Sequence, residues 1–246
     1  MTPAAPAPGM RAPKTIVLSL GGSVLVPSIE TNLLGAYAIV LRELAERARL
    51  YVVVGGGGEA RRYIGAARAL GVDEATLDEL GILVTRLNAR LLVAALGDAA
   101  YPRVPESYAA ARECGVAGRI VVMGGVAPGQ TTDAVAAVLA EEVGADLLIN
   151  ATSVAGIYTA DPKKDPTATR YATMTPADLL ALVGRERMGA GSNTVIDLVA
   201  AKIVERCGIP MVVLDGREPG AVRGAVLEGV FEGTIVARES CCPLPL

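Results

Sequence analysis

Apolar and polar positions alternate along this chain in two rhythms. Short β-branched runs read as buried strands: TIVLSL from Thr15, YVVVG from Tyr51, RIVVMG from Arg119, DLLIN from Asp146 and PMVVLD from Pro210. Between the first two, Leu34, Tyr37, Ala38, Leu41, Ala45 and Ala48 recur at the spacing of one helix face. Segments 74–96, 133–143 and 194–206 repeat that helical rhythm. Strands alternating with helices predict an α/β fold, a three-layer αβα sandwich around a mostly parallel central sheet. Ligands in such sheets bind beyond the carboxyl ends of the strands, where most of these runs meet glycine.

No repeat or low-complexity linker divides the chain, so residues 14–236 read as a single domain. The first 13 residues are rich in Pro and Ala and read as a flexible extension, with Met10 an alternative start. Residues 237–246, ARESCCPLPL, read as a mobile, oxidation-prone tail. The segment 152–169 is the longest polar, irregular stretch; its two Asp-Pro steps disfavour helix, and long loops of this kind are often functional. The apolar stripe of 31–48 suits a subunit interface, although burial within the monomer explains it as well.

Composition narrows the chemistry. Of 246 residues 52% are hydrophobic and 20% charged, enough for a sizeable core. Histidine is absent, which excludes a His-based triad, a His metal site and an imidazole proton shuttle. A net charge of -3, with seven Tyr, one Phe and no Trp, argues against nucleic acid as a partner. The longest uncharged stretch, Thr15 to Ile29, is broken by Gly21, Gly22 and Pro27 and is too short for a membrane helix. The four cysteines show no metal-ligand spacing or disulfide framework, and no export signal is evident, so a cytoplasmic, membrane-free protein is expected.

Three strands run into glycines: Gly21 and Gly22 before Ser23, Gly55 to Gly58 before EARR, and Gly124 and Gly125 before VAPGQTTDA. Glycine lets backbone N–H groups approach an anion, and a helix N-terminus adds a favourable dipole, so together they suggest a phosphate cradle. A steric role in closing the turns is the alternative for any one of them. No GxxxxGK[ST] is present. Gly55, Gly57 and Ala60 fit GxGxxA, but Asp78 and Glu79, near the spacing of the acidic partner, lie in a helical pattern rather than at a strand end. Phosphoryl transfer suits a chain without histidine because positioning and charge stabilisation carry it. Arg61, in the first turn after the four-glycine loop, could pair with phosphate; Arg62 would point elsewhere. Asp133 at the start of a helix is either a cap or a carboxylate that orients charge around phosphates. Asp161, Lys163, Lys164 and Asp165 form a polar cluster, for which plain exposure is the alternative, and Tyr158 beside them offers a flat face to a base.

Taken in order, LGGSVL at Leu20, VVVGGGGEARRYI at Val52, GILVTRLNARLL at Gly81, VMGGVAPGQTTDAVAA at Val122, ATSVAGIYTADPKKDPTA at Ala151 and GAGSNTVIDLVAAKI at Gly189 resemble the amino acid kinase family, and within it the archaeal-type uridylate kinases. The resemblance spans about Lys14 to Val236. It implies phosphoryl transfer from ATP to UMP, giving UDP and ADP in pyrimidine nucleotide (CTP) synthesis, with Mg²⁺ accompanying ATP and a homohexameric assembly. It also implies that Gly22, Ser23, Gly57 and Arg61 contact ATP phosphates, and that Thr152, Tyr158 and Asp161 hold the adenosine end. Gly56, Asp78 and the stretch Val126, Ala127, Pro128, Gly129, Gln130, Thr131 and Thr132 would hold UMP, Asp78 through the ribose. Asp133 would organise the transferring group, and no residue is assigned as a resident metal ligand.

The chain departs from the family pattern twice. Many members have lysine where Ser19 stands, although archaeal uridylate kinases often lack it, and many carry a carboxylate where Ala155 stands. With Ser19 in that place, Arg61 becomes the expected source of positive charge on the transferring group. Alternatives are a family member acting on another small acceptor, a non-catalytic nucleotide-binding relative, and a nicotinamide-dependent dehydrogenase using the GxGxxA loop.

Overall fold

The computed structural model describes residues 13–162, 164–186, 195–238 and 244–245. Its elements are β1 (Lys14–Leu20), α1 (Gly22–Leu25), α2 (Leu34–Ala45), β2 (Ala48–Val54), α3 (Gly57–Ala69), α4 (Glu74–Leu96), α5 (Tyr108–Gly115), β3 (Val121–Met123), α6 (Thr132–Val143), β4 (Leu147–Thr152), β5 (Thr173–Met174), α7 (Pro176–Glu186), α8 (Leu198–Cys207), β6 (Met211–Asp215), α9 (Pro219–Glu228) and β7 (Gly233–Val236). The seven strands form one sheet in the order β3-β2-β1-β4-β6-β7-β5, parallel throughout except for β6 against β7. Successive crossovers run outward in opposite directions from β1 and β4, so a topological switch point lies between these two strands.

Side-chain alternation divides the interior into two cores. Ile16, Leu18 and Leu20 of β1 point to the face covered by α2, α4 and α9, where Leu41, Leu92 and Val226 pack. Val17 of β1, Val53 of β2 and Leu148 of β4 point to the face covered by α6, α7 and α8. This is the three-layer αβα architecture expected from the strand and helix rhythm.

Several local expectations change. The third helical segment begins at Leu198, capped by Asp197, rather than at 194, which lies outside the described residues. The 152–169 stretch is not wholly irregular: Tyr158 bridges Arg170, and the Thr159 N–H donates to the Thr169 carbonyl at 2.9 Å. The expected mobile tail does not hold at Leu244, which is 7% exposed and packs in the core beside α2 and α9. Residues 1–12, Cys241 and Cys242 lie outside the described residues. Among the described residues one stretch, Glu74–Ala99, is long and apolar enough by length and composition to cross a membrane. Ala89, Leu92, Val93 and Leu96 of that stretch pack in the core, while Leu83 and Leu87 are exposed.

Candidate functional site

The first two glycine loops meet beyond the carboxyl ends of β1 and β2. The close approach is between backbones: a Cβ on Gly22 would lie 2.1 Å from the Gly57 nitrogen, and one on Gly55 would lie 2.3 Å from the Gly22 nitrogen. Gly57 has φ +67, a left-handed conformation that L side chains rarely adopt. The steric reading of these glycines therefore holds, and the same geometry leaves peptide groups at the site where a phosphate cradle was expected. From α4, Asn88 braces the second loop, its Nδ2 donating to the carbonyls of Gly55 at 3.0 Å and Gly56 at 3.1 Å. Asn88 and Thr85 escaped the sequence reading; their only signal was a polar residue on the buried stripe of an apolar helix.

Arg61 is the fifth residue of α3, one turn later than expected, and is exposed. Among the described residues it forms no ion pair. Arg62 pairs with Glu59 at 3.2 Å. The GxGxxA match lacks the βαβ unit that gives it meaning, because the strand that next joins the sheet, β3, begins only at Val121.

Asp133 stands at the start of α6, but the cap of that helix is Thr131, whose Oγ1 accepts the Ala134 N–H at 3.1 Å. The capping alternative for Asp133 is thus replaced by a tertiary role. Its Oδ1 accepts the Ser19 hydroxyl at 2.8 Å, and the neutral amide of Asn150 also favours the charged form. Burial of the carboxyl, reinforced by the nearby Asp197, pushes its pKa up to about 6 against the pull of Ser19 and Asn150. Thr131 and Asp197, the caps of α6 and α8, are themselves joined by a hydrogen bond from the Thr131 hydroxyl.

Asp133 opens into a cavity of about 350 Å³ whose lining includes Thr152, Tyr158, Asp161, Leu179 and Ile196. The three residues expected at the adenosine end therefore share one cavity with Asp133. Asp161 is not plainly exposed: its side chain keeps 15% of its surface and lies 3.8 Å from the Lys164 ammonium. Asp165 accepts from the Thr167 N–H at 2.9 Å, and Lys163 lies outside the described residues.

The loop after β3 is fixed from α4 and α5. Asp78 Oδ2 accepts the Gly129 N–H at 2.7 Å, Thr85 Oγ1 accepts the Gly125 N–H at 2.7 Å, and Arg86 Nε donates to the Gly125 carbonyl at 3.1 Å. Tyr108 and Gln130 hydrogen-bond at 2.9 Å. Asp78 and the stretch 126–132, more than 40 residues apart in sequence, are in this way brought together.

A model of the amino acid kinase family matches residues 14–215, which cover both glycine loops, the Asp133 cluster and the cavity. The chain belongs to the amino acid kinase family. Among its relatives, a uridylate kinase from Methanoculleus marisnigri is 63% identical over 94% of this chain and 99% of its own. One from Methanoregula boonei is 57% identical over 95% and 100%. The crystal structure of uridylate kinase from Archaeoglobus fulgidus superposes with a TM-score of 0.82 at 45% identity, covering 91% of this chain and all of that chain.

Proposed function

We propose that this protein is a UMP kinase, transferring the γ-phosphoryl group of ATP to UMP to give UDP and ADP. The observation that carries the reading is the 63% identity to a uridylate kinase across nearly the whole of both chains. In this reading Gly22, Ser23, Gly57 and Arg61 bind ATP phosphates at the paired glycine loops, while Thr152, Tyr158 and Asp161 hold the adenosine end in the cavity. Gly56, Asp78 and residues 126–132 take UMP. Its phosphate oxygen is already a nucleophile near neutral pH, so the protein's task is alignment and charge stabilisation. Asp133 orients the charges around the transferring group, and Arg61 supplies positive charge; near-normal kcat in Arg61→Ala would remove that role.

Mg²⁺ fits as a companion of the nucleotide rather than a caged ion. The described residues hold no group of three or more metal-ligating acidic, Cys or His side chains, while Asp133 and Asp161 face the cavity. Mg²⁺ is commonly held by phosphates plus one or two carboxylates, and it would neutralise charge on the transferring oxygens. Such a reaction serves pyrimidine nucleotide synthesis, and the cysteine pattern, without a disulfide framework, suits the cytoplasm. Exposed Leu83 and Leu87 on α4 and Ile39 on α2 offer apolar surface for a homohexamer.

The test is ADP release from ATP and Mg²⁺ with UMP, CMP, AMP, acetylglutamate, carbamate and isopentenyl phosphate in separate reactions. Turnover with UMP alone is expected. Preference for another acceptor would discard the UMP assignments, and ATP binding without turnover on any of them would favour a non-catalytic protein.

A further inference from the structure

Two polar side chains interrupt the buried strands at the centre of the sheet. Ser19 of β1 is 2% exposed and Asn150 of β4 is 3% exposed. They are register partners across the β1–β4 pair and share the face that carries Val17 and Leu148. Burying a hydroxyl and an amide costs free energy unless both are hydrogen-bonded, and an apolar pair would serve the core alone better. Ser19 Oγ donates to Asp133 Oδ1 at 2.8 Å, and the neutral amide of Asn150, beside Ser19 in register, also favours the charged carboxylate while its Nδ2 donates to the Val195 carbonyl at 3.4 Å.

The charged and titratable groups around Asp133 make this arrangement specific. From α8 it faces Asp197, and across the cavity the loop after β4 contributes Tyr158 and Asp161, the latter next to Lys164. From α7 it faces apolar walls, Leu179, Leu182 and Val183, and its own helix contributes Thr131 and Thr132. Among the described residues Asp133 has no ion pair, and its hydrogen-bond donor, Ser19, is neutral.

We propose that Ser19, with its register partner Asn150 beside it, is a positioning residue, a neutral clamp that fixes the Asp133 carboxylate at the switch point between β1 and β4. The clamp sets the orientation of the carboxylate without neutralising it, so the negative charge stays available to the cationic groups that gather when nucleotides bind. The proposal rests on the role given to Asp133 above. Ser19 then acts through Asp133 and need not touch substrate.

The experiment compares Ser19→Ala, Ser19→Thr and Ser19→Cys with wild type in the UMP-dependent reaction, with Asp133→Asn in parallel. Ser19→Ala should lower kcat about tenfold, the scale of one lost charge-assisted hydrogen bond, with both KM values within about twofold. Because the lost donor favours the ionised carboxylate, the acidic limb of the kcat profile should also move to higher pH. Ser19→Thr, which keeps the hydroxyl, should restore both; Ser19→Cys, nearly isosteric with a weaker donor, should fall between and serves if the alanine variant does not fold. Wild-type kcat with an unmoved limb in folded Ser19→Ala or Ser19→Cys would overturn the clamp. Full activity in Asp133→Asn would instead overturn the reading of Asp133 on which the clamp rests.

Discussion

The two faces of the central sheet are built from the same strands and do different work. On the face under α2, α4 and α9, β1 presents Ile16, Leu18 and Leu20 and β4 presents Leu147, Ile149 and Ala151, all buried in one apolar core. On the opposite face the same strands present Val17 with Ser19 and Leu148 with Asn150, and the polar pair sits under a half-buried carboxylate. One face contributes stability by removing apolar surface from water. The other gives up part of that gain to hold Asp133, and the glycine loops and the cavity gather around its polar end. A parallel sheet permits this because successive residues answer to different layers.

The largest expected effect tests the polar face. Asp133→Asn should cut kcat by about a thousandfold or more, as loss of a charge-organising group does, while making the fold more stable above pH 6. The folded-state pKa of about 6 exceeds the ordinary 3.8, so the folded chain retains a proton that the unfolded chain has lost between these values. Stability contributed by this residue therefore falls as pH rises from 3.8 to 6, and the full penalty stands above that. At about 1.4 kcal/mol per unit it is at most on the order of 3 kcal/mol. Denaturant melts of both proteins at pH 5 and pH 8 check it: the gap should be wider at pH 8. An asparagine variant that is less stable at pH 8 would break the comparison.

The apolar face should respond in the opposite way. Leu92→Ala removes a fully buried side chain and should cost about 2–5 kcal/mol in chemical denaturation, with kcat near wild type under conditions where the protein stays folded. Asp78→Asn sharpens the division within α4, whose inner side is core and whose outer end meets the 126–132 loop. It should raise the UMP KM about five- to tenfold and leave the ATP KM nearly unchanged; equal effects would count against the UMP assignment. The smallest effect is at Tyr37, whose buried hydroxyl donates to the Gly216 carbonyl at 2.6 Å. Tyr37→Phe leaves that carbonyl unpaired and should cost about 1–2 kcal/mol with little change in kcat.

Much of this division was legible in the sequence where it is local. The β-branched runs gave β1, β2, β3, β4 and β6, because buried parallel strands need continuous apolar character. Strands β5 and β7, of two and four residues, carry too little pattern to stand apart from loop and exist through pairing with each other and β6. The glycine loops were legible as loops, but not their mutual backbone contact. Asp133 stood out beside its threonines, whereas its partner Ser19 lies 114 residues away and Asn150 looked like one more strand residue. A polar side chain inside an apolar run was the available signal, and only the register of β1 against β4 turned it into a pair. Plain exposure stood open as the alternative for Asp161, and only the turn, in which its carbonyl accepts from Lys164 and Asp165, shows it in the cavity wall.

The most direct test follows ATP, Mg²⁺ and UMP by phosphorus NMR with catalytic amounts of wild-type protein and of Asp133→Asn. The account predicts that UDP and ADP signals grow together with the wild type and stay near background with the variant. Inorganic phosphate in place of UDP, or UDP formed at equal rates by both proteins, would contradict it.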